Sequence, residues 1–187
     1  RMLQGMRSLV YLQPGEAAGC VGCHENRMAT VPSVKTIAST RAPSKLSPGP
    51  DGSKPLSYPI LVQPVLDKHC VSCHNDDVTE GGVNLAADPE GNFTKSYNAL
   101  TKYVSYTYWT APEGNYEPRT EPLRFGAIAS KLITILEDGH YDVNLNDDEW
   151  DRLNTWIDAN ALFYGTFNVE DQRRQQLGET IEGPELE

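Results

Sequence analysis

All four cysteines of the chain fall in two pentads of one pattern, Cys-x-x-Cys-His: residues 20 to 24, CVGCH, and residues 70 to 74, CVSCH. A thioether-bound haem requires that spacing. Its two former vinyl groups join cysteines three positions apart, and the histidine after the second cysteine then reaches the iron. Val21 with Gly22, and Val71 with Ser72, leave room for the porphyrin edge. The reading is two covalently attached haem c groups, one held by Cys20, Cys23 and His24 and the other by Cys70, Cys73 and His74. Structural zinc fits poorly. Paired Cys-x-x-Cys ribbons place their pairs about 15 to 20 residues apart, whereas residues 24 to 69 lie between these. Disulfides would use the cysteines and leave two identically placed histidines without a reason.

The rest of the composition narrows the function further. In 187 residues no apolar run approaches the roughly 18 that a membrane helix needs, so no transmembrane segment is expected. The formal net charge is −10, and no basic cluster suits a phosphate backbone, which excludes nucleic acid. Haem propionates add to the acidity, so the expected partner is a redox protein with a basic patch, or a domain attached upstream. Haem attachment of this kind takes place outside the cytoplasm. The protein is therefore expected in the periplasm or beyond the cell, with its export signal upstream of Arg1. Residues 7 to 13, RSLVYLQ, are rich in β-forming types and stop at Pro14-Gly15, like the last strand of a preceding module.

Three regions follow from patterning. Residues 1–54 hold the N-terminal strand and a loop-rich first haem module, since residues 30 to 57 are dense in Pro, Ser, Gly and Lys. Residues 55–169 form the second haem domain. A helix with Pro59 near its start runs toward the second pentad, and Pro64 ends or kinks it. The aromatics from Phe93 to Tyr116 suit a hydrophobic wall. One later helix carries Ile128, Leu132, Ile135 and Leu136 and stops at Gly139. Another starts from Asn146, with Asp147, Asp148 and Glu149 at the positive end of its dipole and Trp150, Leu153, Trp156 and Ile157 as its stripe. Residues 170–187 are a polar, loosely packed tail.

The run from HCVSCHN through SKLITILEDGH to DDEWDRLNTWIDANALFYGTF resembles the planctomycete-type cytochrome c domains. With MRSLVYLQPGE and CVGCHE ahead of it, the chain is similar over residues 5 to 168 to the C-terminal dihaem region of hydrazine synthase alpha-subunit-like proteins. The resemblance implies a mainly α fold: a cytochrome c-like helical domain with a loop-rich N-terminal haem-binding module and little β structure. In hydrazine synthase the first haem uses a tyrosine four residues after the pentad histidine. Here that position is Met28, so the special site is not expected.

Each iron has a sixth position to fill. His140 lies before the last helix, where single-haem cytochromes carry a distal methionine loop, and EDGHYDVNL has no methionine; His140 is assigned to haem 2. His69, beside Cys70, is assigned to haem 1, with Met28, Met6 and Met2 as alternatives, or an open iron. The function expected is electron transfer, with Trp109, Trp150 and Trp156 excluding water. The rival readings are a haem enzyme, either a dihaem peroxidase or a hydrazine-synthase-like catalyst, and a redox or gas sensor with one open iron.

Overall fold

Pro59 and Pro64 each sit in the first turn of a short helix, where a missing N–H costs nothing because that group has no intrahelical partner. Helix α1 is Tyr58–Leu61 and α2 is Gln63–His69, with the chain turning at Val62 between them. The computed structural model describes residues 1–5, 13, 15–16, 28–30, 35, 37, 40–45, 47–52, 54–107 and 120–183. They belong to two units, Arg1–Arg7 with Pro48–Glu187, and Ser8–Ser47.

In the larger unit the helices dominate. A two-residue hairpin, β1 Pro89–Glu90 and β2 Phe93–Thr94, pairs Pro89 with Thr94 across a turn at Gly91, whose φ of +63° suits glycine. Helix α3, Lys95–Leu100, follows at once, and the Thr94 hydroxyl accepts from the Tyr97 N–H to cap it. Helix α4 is Lys131–Glu137, and α5, the longest, is Asp147–Asp158. The fold is mainly α, with this hairpin as its small sheet.

The core forms where α1 and α2 meet α5. Tyr58, Val62, Val65 and Leu66 pack with Leu153, Trp156 and Ile157, all nearly or wholly buried. Aromatic rings extend it: Tyr58 lies edge-on to Tyr97 and Trp156, and Phe163 stacks on Tyr58 at 5.5 Å between ring centres. Phe93 and Tyr97 thus supply part of the expected aromatic wall, while Trp109 lies outside the described residues. Gln63 is the best-satisfied polar group drawn into this core, whereas the buried Ser57 and Tyr58 hydroxyls have no hydrogen-bond partner among the described residues. Gln63 donates to the Asp67 carboxylate and the Leu85 carbonyl and accepts from the Ser96 hydroxyl at 2.6 Å.

Chain segments distant in sequence close the unit. The Thr120 N–H donates to the Gly5 carbonyl, the Gly5 N–H donates to the Thr120 hydroxyl, and the Leu123 N–H donates to the Leu3 carbonyl. The segment expected to be a loose tail instead holds helix α6, Val169–Gln176, capped by Asn168. Gln175 is buried, donating to the Leu56 carbonyl and accepting from the Gly165 N–H.

Of the smaller unit, Gln13 and Glu16 close a turn around Gly15, whose φ is +77°, and Thr40 bonds back to Ile37. Cys20, Cys23 and His24 lie outside the described residues.

Candidate functional site

Helix α2 delivers the second pentad. Its last turn runs on without a break, because Cys70 and Val71 both donate to the Leu66 carbonyl. The pentad then tightens on itself: the N–H groups of Cys73 and His74 donate to Cys70, at 3.1 and 3.0 Å. Asn75 ends the turn. Its side-chain amide donates to Val71, and its side-chain oxygen accepts from Asp77 and Val78. Cys70 and Cys73 are not joined in a disulfide; Cys70 is half-buried and Cys73 exposed. Burial, then the neighbouring Cys73, push the Cys70 thiol up to about 11. It is thus a neutral thiol at physiological pH, whereas redox-active Cys-x-x-Cys pairs rely on an easily formed thiolate.

His74 is fixed from several sides. Its backbone carbonyl accepts from Leu85 at 2.8 Å, and it bridges to Thr79. Its Nδ1 lies 3.1 Å from the Val83 carbonyl. A carbonyl oxygen can only accept, so Nδ1 carries a proton, and in the neutral ring Nε2 then keeps its lone pair. Nearly parallel to the His74 ring is the ring of His140, from the segment between α4 and α5. The two ring centres are 6.1 Å apart and their planes differ by 18°. Asp138 and Asp142 on this segment are exposed while Val143 and Leu145 are half-buried, and Tyr141, 95% exposed, sets its ring edge-on to His140 at 5.0 Å.

His69 points elsewhere. Its Nε2 lies 3.0 Å from Glu149 Oε1, on the same oxygen that accepts from Lys68 at 2.7 Å. The other oxygen of Glu149 accepts from the Asn146 N–H, while Asn146 in turn accepts from the Glu149 N–H, a complete capping box on α5. Burial acts to raise the Glu149 pKa. The Lys68 ammonium, the Asn146 N–H and His69 outweigh it and hold the group at about 2. The sequence marks Glu149 only as a helix-start carboxylate; its grip on the residue before the pentad has no signal in the chain, because the partners stand eighty residues apart.

The remaining expected ligands fall as follows. Met28 is 93% exposed within the smaller unit, Met2 packs against Gly5 and Gly126, and Met6 lies outside the described residues. Trp156 is buried and donates to the Leu162 carbonyl, whereas half-buried Trp150 lies beneath the Arg1 guanidinium. Among the described residues no three His, Cys, Asp or Glu side chains gather around one point, and no helix is long and apolar enough to cross a membrane.

The family model for the hydrazine synthase alpha subunit middle domain matches residues 1–25. No curated protein and no solved structure gives a significant match. The matched stretch holds the first pentad and stops before the second. The likeness expected from the sequence ran to residue 168 and concerned the C-terminal dihaem region; the match covers only the opening of that span.

Proposed function

We propose that Cys70, Cys73, His74 and His140 hold a covalently attached haem c, that Cys20, Cys23 and His24 hold a second, and that the chain is an exported dihaem cytochrome domain that passes electrons. The observation that carries the reading is the nearly parallel pair of imidazoles. With a metal–imidazole bond of about 2.0 to 2.1 Å and ~1.1 Å from nitrogen to ring centre, two histidines that held one metal ion between them would have ring centres ~6.2 to 6.4 Å apart. His74 and His140 are 6.1 Å apart. The Val83 carbonyl supports it too, since a ligating histidine commonly donates its second nitrogen to such an acceptor.

The bound haem supplies one-electron redox chemistry. The protein's share of the work is positional. The α2 turn presents both thiols and His74 together, and the Val83 carbonyl fixes the His74 tautomer. With its Glu149 contact intact, His69 fastens the pentad turn to α5; serving an iron would require giving that contact up.

Two measurements test this. Mass spectrometry of the denatured protein, expressed with export and haem-attachment machinery, should show two covalent haems, and one after Cys70→Ala with Cys73→Ala. Electron paramagnetic resonance of the oxidised protein should show haem 2 low-spin and rhombic, as nearly parallel imidazole planes produce. A chain without haem, or a high-spin resting haem 2, overturns the reading. A second reading, a hydrazine-synthase-like haem enzyme, draws on the family match across the first pentad. It requires a resting high-spin iron at haem 1, visible in the same spectrum.

A further inference from the structure

We infer that His140 is an exchangeable ligand, and that its side of the second pentad's site admits a neutral diatomic molecule of the carbon monoxide and nitric oxide class. The inference rests on the haem reading above and goes beyond it, because a bis-histidine electron carrier has no need to open. Its basis is the unequal way the two histidines are held.

His74 is locked. Its N–H, its carbonyl and its Nδ1 are all bonded, at 3.0, 2.8 and 3.1 Å, and the haem-bearing cysteines flank it on the same turn. His140 has no ring hydrogen bond among the described residues, and its backbone is tied by a single bond, from the Val143 N–H at 3.1 Å. It stands between two left-handed residues, Gly139 at φ +93° and Tyr141 at φ +50°. For a tyrosine that conformation is strained, and rearrangement of the loop releases the strain. Tyr141 is nearly fully exposed, so little packing resists its movement. Withdrawing His74 would mean dismantling the pentad turn. Withdrawing His140 costs one backbone hydrogen bond and an edge-on ring contact.

The exchange balances simply. The bond from His140 Nε2 to iron breaks, a bond from the incoming carbon or nitrogen forms, the imidazole leaves neutral, and no electron changes hands. Exposed Asp138 and Asp142 flank His140 and disfavour anions, which selects neutral diatomics over cyanide.

The test is carbon monoxide binding to the fully reduced holoprotein, followed optically after rapid mixing. Wild type should bind in a phase whose rate does not rise with carbon monoxide concentration, because departure of His140 limits it. His140→Ala should bind the same number of equivalents, with that phase turned fast and concentration-dependent. Gly139→Ala should speed the slow phase roughly threefold to tenfold, since alanine pays for positive φ. An added Cβ at Gly139 meets nothing within 4 Å, so this variant keeps the fold if His140→Ala does not. Wild type binding one equivalent fewer than His140→Ala overturns the inference, as does a slow phase unmoved by Gly139→Ala. A mass without haem on Cys70 and Cys73 removes the haem reading and this inference together. A haem-loaded protein that takes up no carbon monoxide removes the inference alone.

Discussion

Glu149 is a buried carboxylate that stays charged, and the reason is visible in its three donors. One lies on its own helix and two on the last turn of α2, so a single side chain ties the start of α5 to the residues just before Cys70. Glu149→Gln keeps the shape but loses the charge that Lys68 and His69 are paired with. It should lower stability by roughly 1–3 kcal/mol in a denaturant titration. The pH dependence has a definite sign. Because the folded carboxyl titrates near 2, below its ordinary value of 4.5, its stabilisation is complete above about pH 4.5 and is lost as pH falls toward 2. Stability measured through that window should therefore fall less steeply in the Gln variant than in wild type. At this scale the chain announces some roles and hides others. The pentads declare themselves because their chemistry is local in sequence. The partner of His69 does not, because a contact across the core leaves no trace in spacing.

Among the elements, those whose signals are local are the ones the sequence foretells. The start of α5 at Asn146 and the apolar stripe of Leu153, Trp156 and Ile157 follow from a capping residue and a 3.6-residue period, and Pro64 marks the break between α1 and α2. The helix expected to carry Ile128 is shorter: α4 begins at Lys131, its deepest residue is Ile133, and Ile128 lies before it in a separate turn and is exposed. In a seven-residue helix the period is too short to fix the buried face, and contact with the core decides it. Helix α6 goes unread because its anchor is polar. Gln175 is buried to satisfy backbone groups of Leu56 and Gly165, a role no hydropathy pattern encodes. Gly165 is part of the same anchor, since a Cβ there would collide with the Leu56 backbone. Gly165→Ala should therefore destabilise the fold by roughly 2–4 kcal/mol. Thermal unfolding checks this; a midpoint within a degree or two of wild type would mean that the backbone there yields.

For the molecule as a whole, the described residues between 41 and 57 contain turns and extended backbone but no helix or strand, and most are exposed. Arg41 and Lys45 stand on this stretch, so brief trypsin treatment of the native protein should cut there first. Because thioether haem survives denaturing electrophoresis, both fragments should stain for haem-peroxidase activity if both pentads are loaded. A stain on the larger fragment alone would confine the haem to Cys70 and Cys73.

The anchor of Leu56, Gly165 and Gln175 also has a mechanical meaning. It joins chain just after the proteolytically open stretch to chain near the far end of the same unit, and the Tyr58 N–H adds a bond to the Phe163 carbonyl beside it. A pull along the chain from residue 54 toward residue 183 loads these bonds together with α6, on which Gln175 stands. While they hold, the core and the loop carrying His140 feel no tension. Once they part, the load passes to α1 and to the aromatic core packed around Tyr58.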